Sequence, residues 1–274
     1  MEQRNDEAEQ IAGIFTKMNK YADQAAFTEK ACALLWGLSG DPETIDLILP
    51  HIDTIVTALQ NHVNHSKICR NACGALWNLA TDFEAKIRLR PHIPVIIAAM
   101  KTHAIDPNVC KGACGTLFNL CHHNDRNKVL LGSHISTLVS VMQMFNKAHA
   151  QTPEKGASVC IQVCGLLWML AKIAVNKVLM GSHIPAIIDC MQTHIICGTV
   201  TGVLCCTLEK LAVLNDENQA ALRSHTSAIV AVMETHPDDM EAQKWSRRLL
   251  HTINKSDEVV KHMFNLNKKR FLNN

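Results

Sequence analysis

One pattern recurs six times along this 274-residue chain, at spacings close to 41 residues. Its clearest copies are CALLWGLS, CGALWNLA, CGTLFNLC and CGLLWMLA, which begin at Cys32, Cys73, Cys114 and Cys164. Two further columns keep the same phase: Met18, Leu59, Met100, Met142, Met191 and Met233, and His51, His92, His134, His183 and His225. Three columns in one phase indicate stacked supersecondary units, none of which can bury its apolar side alone. Such an array usually offers a binding surface rather than chemistry.

The composition is that of a globular protein, with 47% hydrophobic and 19% charged residues. A net charge of +2 lacks the basic excess of a general nucleic-acid binder. No apolar run reaches the roughly 18 residues that span a bilayer, and the polar start MEQRNDEAEQ is unlike a signal peptide. The twelve cysteines lie inside the repeats as small core residues, which favours a reducing compartment. We therefore expect a cytoplasmic or nuclear protein without nucleic acid or membrane insertion.

Each copy of the pattern predicts one short helix and two longer ones, as the third copy shows. Residues 109–121 carry an apolar stripe at helical spacing, and residues 127–133 form a short apolar segment that Gly132 is expected to cap. Residues 134–145 follow Ser133, a good N-cap, and keep the helical spacing. The sequence thus predicts an all-α fold, a right-handed superhelix (α-solenoid) of about six three-helix repeats.

The segments LFNLC and LWNLA, followed by NDRNKVLL, GSHI and HIPVIIAAM, resemble armadillo repeats, in particular the subclass with a C-G-A-L-W-N-L-A core. The resemblance covers about residues 11–263 and places them in one armadillo-like domain over residues 1–274. Eight extra residues before the fourth cysteine predict a longer loop over residues 146–157. Residues 264–274 are expected to form a C-terminal tail.

In armadillo proteins the third helices line a concave groove, in which a ladder of asparagines holds an extended peptide by its backbone. Asn78 and Asn119 match that ladder, whereas the other repeats carry Gly37, Met169, Lys210 and Thr252. The tryptophan that precedes each ladder asparagine by four residues in importin-alpha-like proteins is absent. We therefore do not expect this chain to bind a nuclear-localisation peptide.

Helical geometry supports the groove assignment, because Lys67 and Asn71 lie within about 40° of Asn78, with Arg70 on the flank. Later copies present apolar side chains at these positions. The predicted groove residues are Lys67, Arg70, Asn71, Asn78, Lys111, Asn119, Ile161 and Met169. A groove that is basic at one end and apolar at the other suits an acidic or amphipathic segment of a protein partner. The alternative interpretation is that the basic residues are only a solvated surface.

Three glycines lie in the middle of predicted helices, where each costs about 1 kcal/mol relative to alanine. Gly74, Gly115 and Gly165 therefore indicate close approach of a neighbouring helix or of a bound chain. The aromatic column needs room beside them, which favours packing. That column consists of Trp36, Trp77, Phe118 and Trp168.

The cysteine pairs four residues apart, such as Cys160 and Cys164, share the core side of a helix. A structural zinc site needs four converging ligands, and these pairs supply two per layer without a histidine. The histidine columns lie at helix ends, too far apart to share an ion, and the run from Cys121 to His123 has no distant partner. The sequence therefore predicts no metal and no cofactor.

Phosphate-binding loops, the G-x-S-x-G elbow and the H-E-x-x-H pair are missing from the sequence. We therefore expect a non-enzymatic adaptor or scaffold, with no catalytic residues, that binds a peptide or helix of a partner in the groove. The alternative is a constitutive structural subunit of a larger assembly. It would use the convex face, the loop over residues 146–157 and the tail.

Overall fold

The computed structural model describes residues 2–148 and 153–254, with side chains for residues 6–148 and 157–254. These residues form α-helices and two short 3-10 turns, and they contain no β-strand. The chain divides into two compact units, Met1–His149 and Ala150–Asn274. The all-α prediction is confirmed, while the single domain and the right-handed sense of the superhelix stay predictions.

The first unit begins with a helix pair and continues with repeats of a short first helix, a second helix and a longer third helix. Its helices are α1 (Glu2–Lys20), α2 (Ala25–Leu38), α3 (Pro42–Ile48), α4 (Ile52–Asn61), α5 (Ser66–Leu79), α6 (Phe83–Leu89), α7 (Ile93–Thr102), α8 (Pro107–Cys121), α9 (Asp125–Gly132) and α10 (Ile135–Ala148). The 3-10 turns Leu49–His51 and Arg90–His92 join first helices to second helices. The third helices stack in order, with α2 against α5 and α5 against α8.

The second unit begins with a third helix and continues with two three-helix repeats. Its helices are α11 (Pro153–Leu170), α12 (Ala174–Gly181), α13 (Ile184–Thr193), α14 (Gly198–Ala212), α15 (Asp216–Arg223), α16 (Thr226–Thr235) and α17 (Met240–Ile253). Here too the third helices stack in order, with α11 against α14 and α14 against α17. Packing between successive repeats is the arrangement of an α-solenoid.

The two columns of sulfur-containing residues meet in the core, 14 residues apart in sequence. The Cys114 thiol lies 3.6 Å from the Met100 sulfur, and Cys205 lies 3.6 Å from the sulfur of Met191. These residues are buried, and the described cysteines carry free thiols. Burial is also the main cause that raises the pKa of Cys205 to about 12, which keeps this thiol neutral. The role of small core residue is thus confirmed for ten of the twelve cysteines, while Cys197 and Cys206 are half-buried.

Two predicted boundaries differ from the structure. Gly132 is the last residue of α9 rather than a cap, and Ser133 follows in right-handed helical geometry as the C-cap. The Ser133 hydroxyl donates back to the Leu130 carbonyl, so it does not cap α10, which begins at Ile135. The backbone stays close to helical through this corner, and no left-handed glycine is needed.

The predicted loop over residues 146–157 is mostly helical where it is described. α10 extends to Ala148 and α11 begins at Pro153. Proline fits the first turn of a helix because that turn has no carbonyl partner for its backbone nitrogen. Residues 149–152 and the predicted tail 264–274 lie outside the described residues. No helix in the described ranges is long and apolar enough to cross a membrane.

Candidate functional site

The third helices of the first unit carry an excess of positive charge. Lys30 on α2, Lys67 and Arg70 on α5, and Lys111 on α8 are exposed. Glu29 is the one carboxylate that these three helices contain. We call the set of exposed cations Lys30, Lys67, Arg70 and Lys111 on these helices the basic face. Sequence reasoning identified three of its four residues and missed Lys30, because the first repeat was not included in the groove.

The charges of the basic face are only partly compensated. The Lys67 ammonium lies 3.5 Å from the Glu29 carboxylate, but the Lys67 side chain is 71% exposed. Exposed ion pairs of this kind contribute little to stability because water screens them. Lys30 and Lys111 have no ion-pair partner among the described residues. The basic face therefore keeps most of its positive charge available to a ligand.

The aromatic column packs between successive third helices of the first unit. A Cβ added at Gly74 would lie 2.5 Å from the Trp36 ring, and one at Gly115 would lie 2.5 Å from the Trp77 ring. At Gly165 an added Cβ would meet nothing within 4 Å. Packing against tryptophan is thus confirmed as the reason for two of the three glycines, and the third has no such contact.

Arg70 is held against the aromatic column. Its guanidinium carbon lies 5.7 Å from the centre of the Trp36 ring, within the range of a cation–π contact. The ring itself is half-buried. This contact orients the guanidinium along the surface without neutralising its charge.

The predicted ladder asparagines join neighbouring third helices. The Asn78 amide nitrogen donates to the Ser39 hydroxyl at 3.1 Å, and the Asn119 amide nitrogen donates to the Trp77 carbonyl at 3.0 Å. Asn71, which was expected in the groove, is buried and its amide donates to the Glu29 carbonyl at 3.3 Å. These contacts give the three asparagines a packing role, and their peptide-binding role stays a prediction.

The apolar end of the predicted groove differs from expectation. Met169 is only 3% exposed, so it offers almost no surface to a ligand, and Ile161 is half-buried. Burial of a flexible thioether is favourable, which explains why a methionine at the ladder position turns into the core.

The first unit instead provides an open apolar pocket at its start. It has a volume of about 840 Å³ between α1 and α2. Its lining includes the apolar side chains of Ile14, Phe27 and the exposed Leu34, and at its rim also Asp6, Glu9 and Lys17. Lys30 of the basic face lines the same pocket. One cation of the basic face, Lys30, is therefore adjacent to an apolar depression, an arrangement that helix-wheel reasoning on α5 and α8 could not show.

The second unit contains a buried cluster that the sequence reasoning missed. The Cys190 thiol donates to the Cys160 sulfur at 3.3 Å, and that sulfur lies 3.4 Å from Nε2 of His194. The three potential ligand atoms lie within 4.8 Å of one another, and each residue is at most 1% exposed. We call Cys160, Cys190 and His194 the thiol–imidazole cluster. Among the described residues it is the one group of this kind.

The contacts of the cluster differ from those of the equivalent residues in the first unit. The Cys110 thiol donates to backbone carbonyls of the preceding loop, and the His103 ring contacts the Val63 carbonyl of the repeat before it, at 2.8 Å. Among the described residues Cys160 and His194 make neither contact and meet each other instead. The departure coincides with the extra residues before α11. The sequence showed the extra residues and the regular spacing of the cysteine and histidine columns. It did not show that the side chains of Cys160, Cys190 and His194 converge.

Hydrogen bonding makes one thiol of the cluster unusually acidic. The proton that Cys190 donates lowers the pKa of Cys160 to about 6; burial opposes this shift and His194 reinforces it. The pKa of Cys190 is raised, because its proton is held in that bond. By contrast, burial raises the pKa of Cys110 to about 12. The run at Cys121 forms no comparable cluster, since Cys121 is buried while His122 and His123 are exposed.

Comparisons with known proteins bear on the fold. No protein-family model matches the chain, and a search of curated proteins finds no match. Among solved structures, the crystal structure of an engineered protein is similar to this chain, with a TM-score of 0.65 and 15% sequence identity. The match covers 90% of this chain and 97% of that chain. At this identity the similarity shows the fold alone, a repeat-like all-helical solenoid.

Proposed function

We propose that this chain is a non-enzymatic, armadillo-type adaptor of the cytoplasm or nucleus that binds an acidic, amphipathic segment of a partner protein. The observation that carries the proposal is the basic face. Four exposed cations lie on three successive third helices that hold a single carboxylate. Charge of one sign on stacked helices attracts a ligand of opposite sign and speeds its association.

The surroundings of the basic face suit a segment that is apolar as well as acidic. The half-buried Trp36 ring lies under Arg70, and the pocket between α1 and α2 lies beside Lys30. Apolar side chains of the segment would bury surface in that pocket, while its carboxylates would pair with the cations. Aromatic and arginine side chains are the types that contribute most to protein interfaces.

Charge reversal tests the proposal. The double variant Arg70→Glu/Lys111→Glu should lose the partners that the tagged protein captures from its own cells at low salt. The matched control is Lys101→Glu/Arg126→Glu, which makes the same change of charge at exposed residues of α7 and α9. Helical content and melting temperature should stay unchanged in both. Equal capture by the two variants would remove the basic face as the binding surface.

The alternative function, a structural subunit of a larger assembly, is favoured by a different observation. The short first helices expose large apolar side chains, among them Phe83 on α6, Val129 on α9 and Val178 on α12. A permanent interface over these helices would be insensitive to salt. A particle of fixed stoichiometry that survives high salt, and that the Arg70→Glu/Lys111→Glu variant still joins, would establish this alternative instead.

A further inference from the structure

We propose that the thiol–imidazole cluster of Cys160, Cys190 and His194 is a binding site for a single zinc ion. Two thiols and one imidazole are ligands that zinc prefers, and a set of two cysteines with one histidine occurs in zinc proteins that keep a fourth position open. The three side chains converge although they come from different helices, Cys160 from α11 and Cys190 from α13, with His194 directly after α13.

The distances between the ligand atoms suit a tetrahedral ion. With zinc–sulfur and zinc–nitrogen distances of about 2.3 and 2.05 Å, two sulfurs lie about 3.8 Å apart and a sulfur and a nitrogen about 3.6 Å apart. The observed separations are 3.3 Å between the sulfurs of Cys160 and Cys190 and 3.4 Å between the Cys160 sulfur and Nε2 of His194. These two separations would open by a few tenths of an ångström to admit the ion, and the third, between the Cys190 sulfur and the His194 ring, is at most 4.8 Å.

The charge balance suits burial. Zinc would be held by two thiolates and a neutral imidazole, so the occupied site, Zn²⁺ with two thiolates, has no net charge. A neutral group is far cheaper to bury than a charged one, and the cluster residues are at most 1% exposed. A monovalent copper ion in the same site would leave one uncompensated negative charge.

The site would also join two repeats. In the rest of the chain, histidines at the ends of second helices contact carbonyls of the preceding repeat: His62 contacts Ala22, His103 contacts Val63 and His236 contacts Ile195. His194 lies at the equivalent helix end and contacts Cys160 of the preceding third helix instead. An ion between α11 and α13 would therefore replace a hydrogen bond by coordination bonds.

The experiment uses the full chain, stripped of metal with a chelator under reducing conditions and then loaded with zinc chloride. After gel filtration we expect about one zinc per chain by elemental analysis, a rise in melting temperature on loading, and about a tenfold or greater loss of bound zinc in Cys160→Ser, Cys190→Ser and His194→Asn. Cys110→Ser, at the equivalent position of the first unit, is the matched control and should bind as the parent does.

Cobalt provides a second measurement that needs no variant. Co²⁺ bound by the parent protein should show the intense thiolate-to-cobalt absorption of two sulfur ligands, and added zinc should abolish it. A chain that retains no zinc and shows no such absorption overturns the proposal. Equal zinc retention by the three cluster variants and the parent overturns it as well.

Discussion

Substitution of Gly115 by alanine should destabilise the protein, although alanine is the better helix former. The added methyl group would lie 2.5 Å from two atoms of the Trp77 ring, and real Cβ contacts are not found below 3.0 Å. The ring and α8 must separate by roughly 1 Å, which costs about 1–3 kcal/mol as overpacking. The better helix propensity of alanine offsets about 1 kcal/mol of this cost. We expect a net loss of up to about 2 kcal/mol in the free energy of unfolding.

Gly165 provides the matched control, because it occupies the same column and an added Cβ there meets nothing within 4 Å. Gly165→Ala should therefore stabilise the protein by about 0.5–1 kcal/mol. Two substitutions of identical chemistry at equivalent helix positions are thus expected to have opposite signs. The difference in sign isolates the steric contact with Trp77 from the intrinsic preference for alanine.

The assay is urea unfolding followed by far-ultraviolet circular dichroism, with the slope compared among variants because repeat arrays do not always unfold in one step. The double variant Trp77→Leu/Gly115→Ala completes the test. In the Trp77→Leu background the alanine should no longer destabilise, which corresponds to a coupling energy of about 2 kcal/mol. A Gly115→Ala protein as stable as the parent would refute the packing argument.

Two further predictions concern hydrogen bonds within the first unit. Asn127→Ala should lower the free energy of unfolding by about 2–3 kcal/mol in the same urea assay. The reason is that the buried amide donates to the Leu120 carbonyl at 2.8 Å and accepts from Arg90 at 2.7 Å. A loss no larger than that of a substitution at an exposed residue would show that neither hydrogen bond stabilises the protein. Burial raises the pKa of Asp106, but the Ser66 hydroxyl and the backbone amides of α8 outweigh it and the pKa is lowered. The ionised Asp106 carboxylate therefore stabilises the fold fully at pH values above its pKa in the unfolded chain, about 3.9. This stabilisation is lost as the pH falls through the lower pKa of Asp106 in the folded protein. Asp106→Asn should lose less stability in acid than the parent does, and identical pH profiles would contradict this.

The residue types and their spacing along the sequence were sufficient to predict the repeat architecture. The columns of methionine and cysteine, 14 residues apart, predicted stacked repeats, and the structure shows that the two columns meet, with Met100 against Cys114. The mid-helix glycines predicted close approach, and the structure places Trp36 over Gly74. These features depend on a helical period that repeats in register. They could be predicted because every repeat imposes the same contact on its neighbour.

The site residues were less predictable, because a helical wheel gives the direction of a side chain but not its neighbours. Met169 has the same angular position as Asn119, yet it is buried while Asn119 is half-buried. The pocket beside Lys30 depends on how α1 lies against α2, and no periodicity reports that.

The sequence by itself determined the all-helical repeat, the composition of its core and the positive charge of the third helices α5 and α8. Only the tertiary structure decided that Cys160 meets Cys190 and His194 rather than the carbonyls that its counterparts use. The reason is physical: a repeat specifies contacts between equivalent positions, whereas extra residues before α11 break that equivalence. Which side chains then converge depends on how α11 packs against α13. Cys190 and His194 follow Cys160 by 30 and 34 residues, so no local pattern in the sequence relates them.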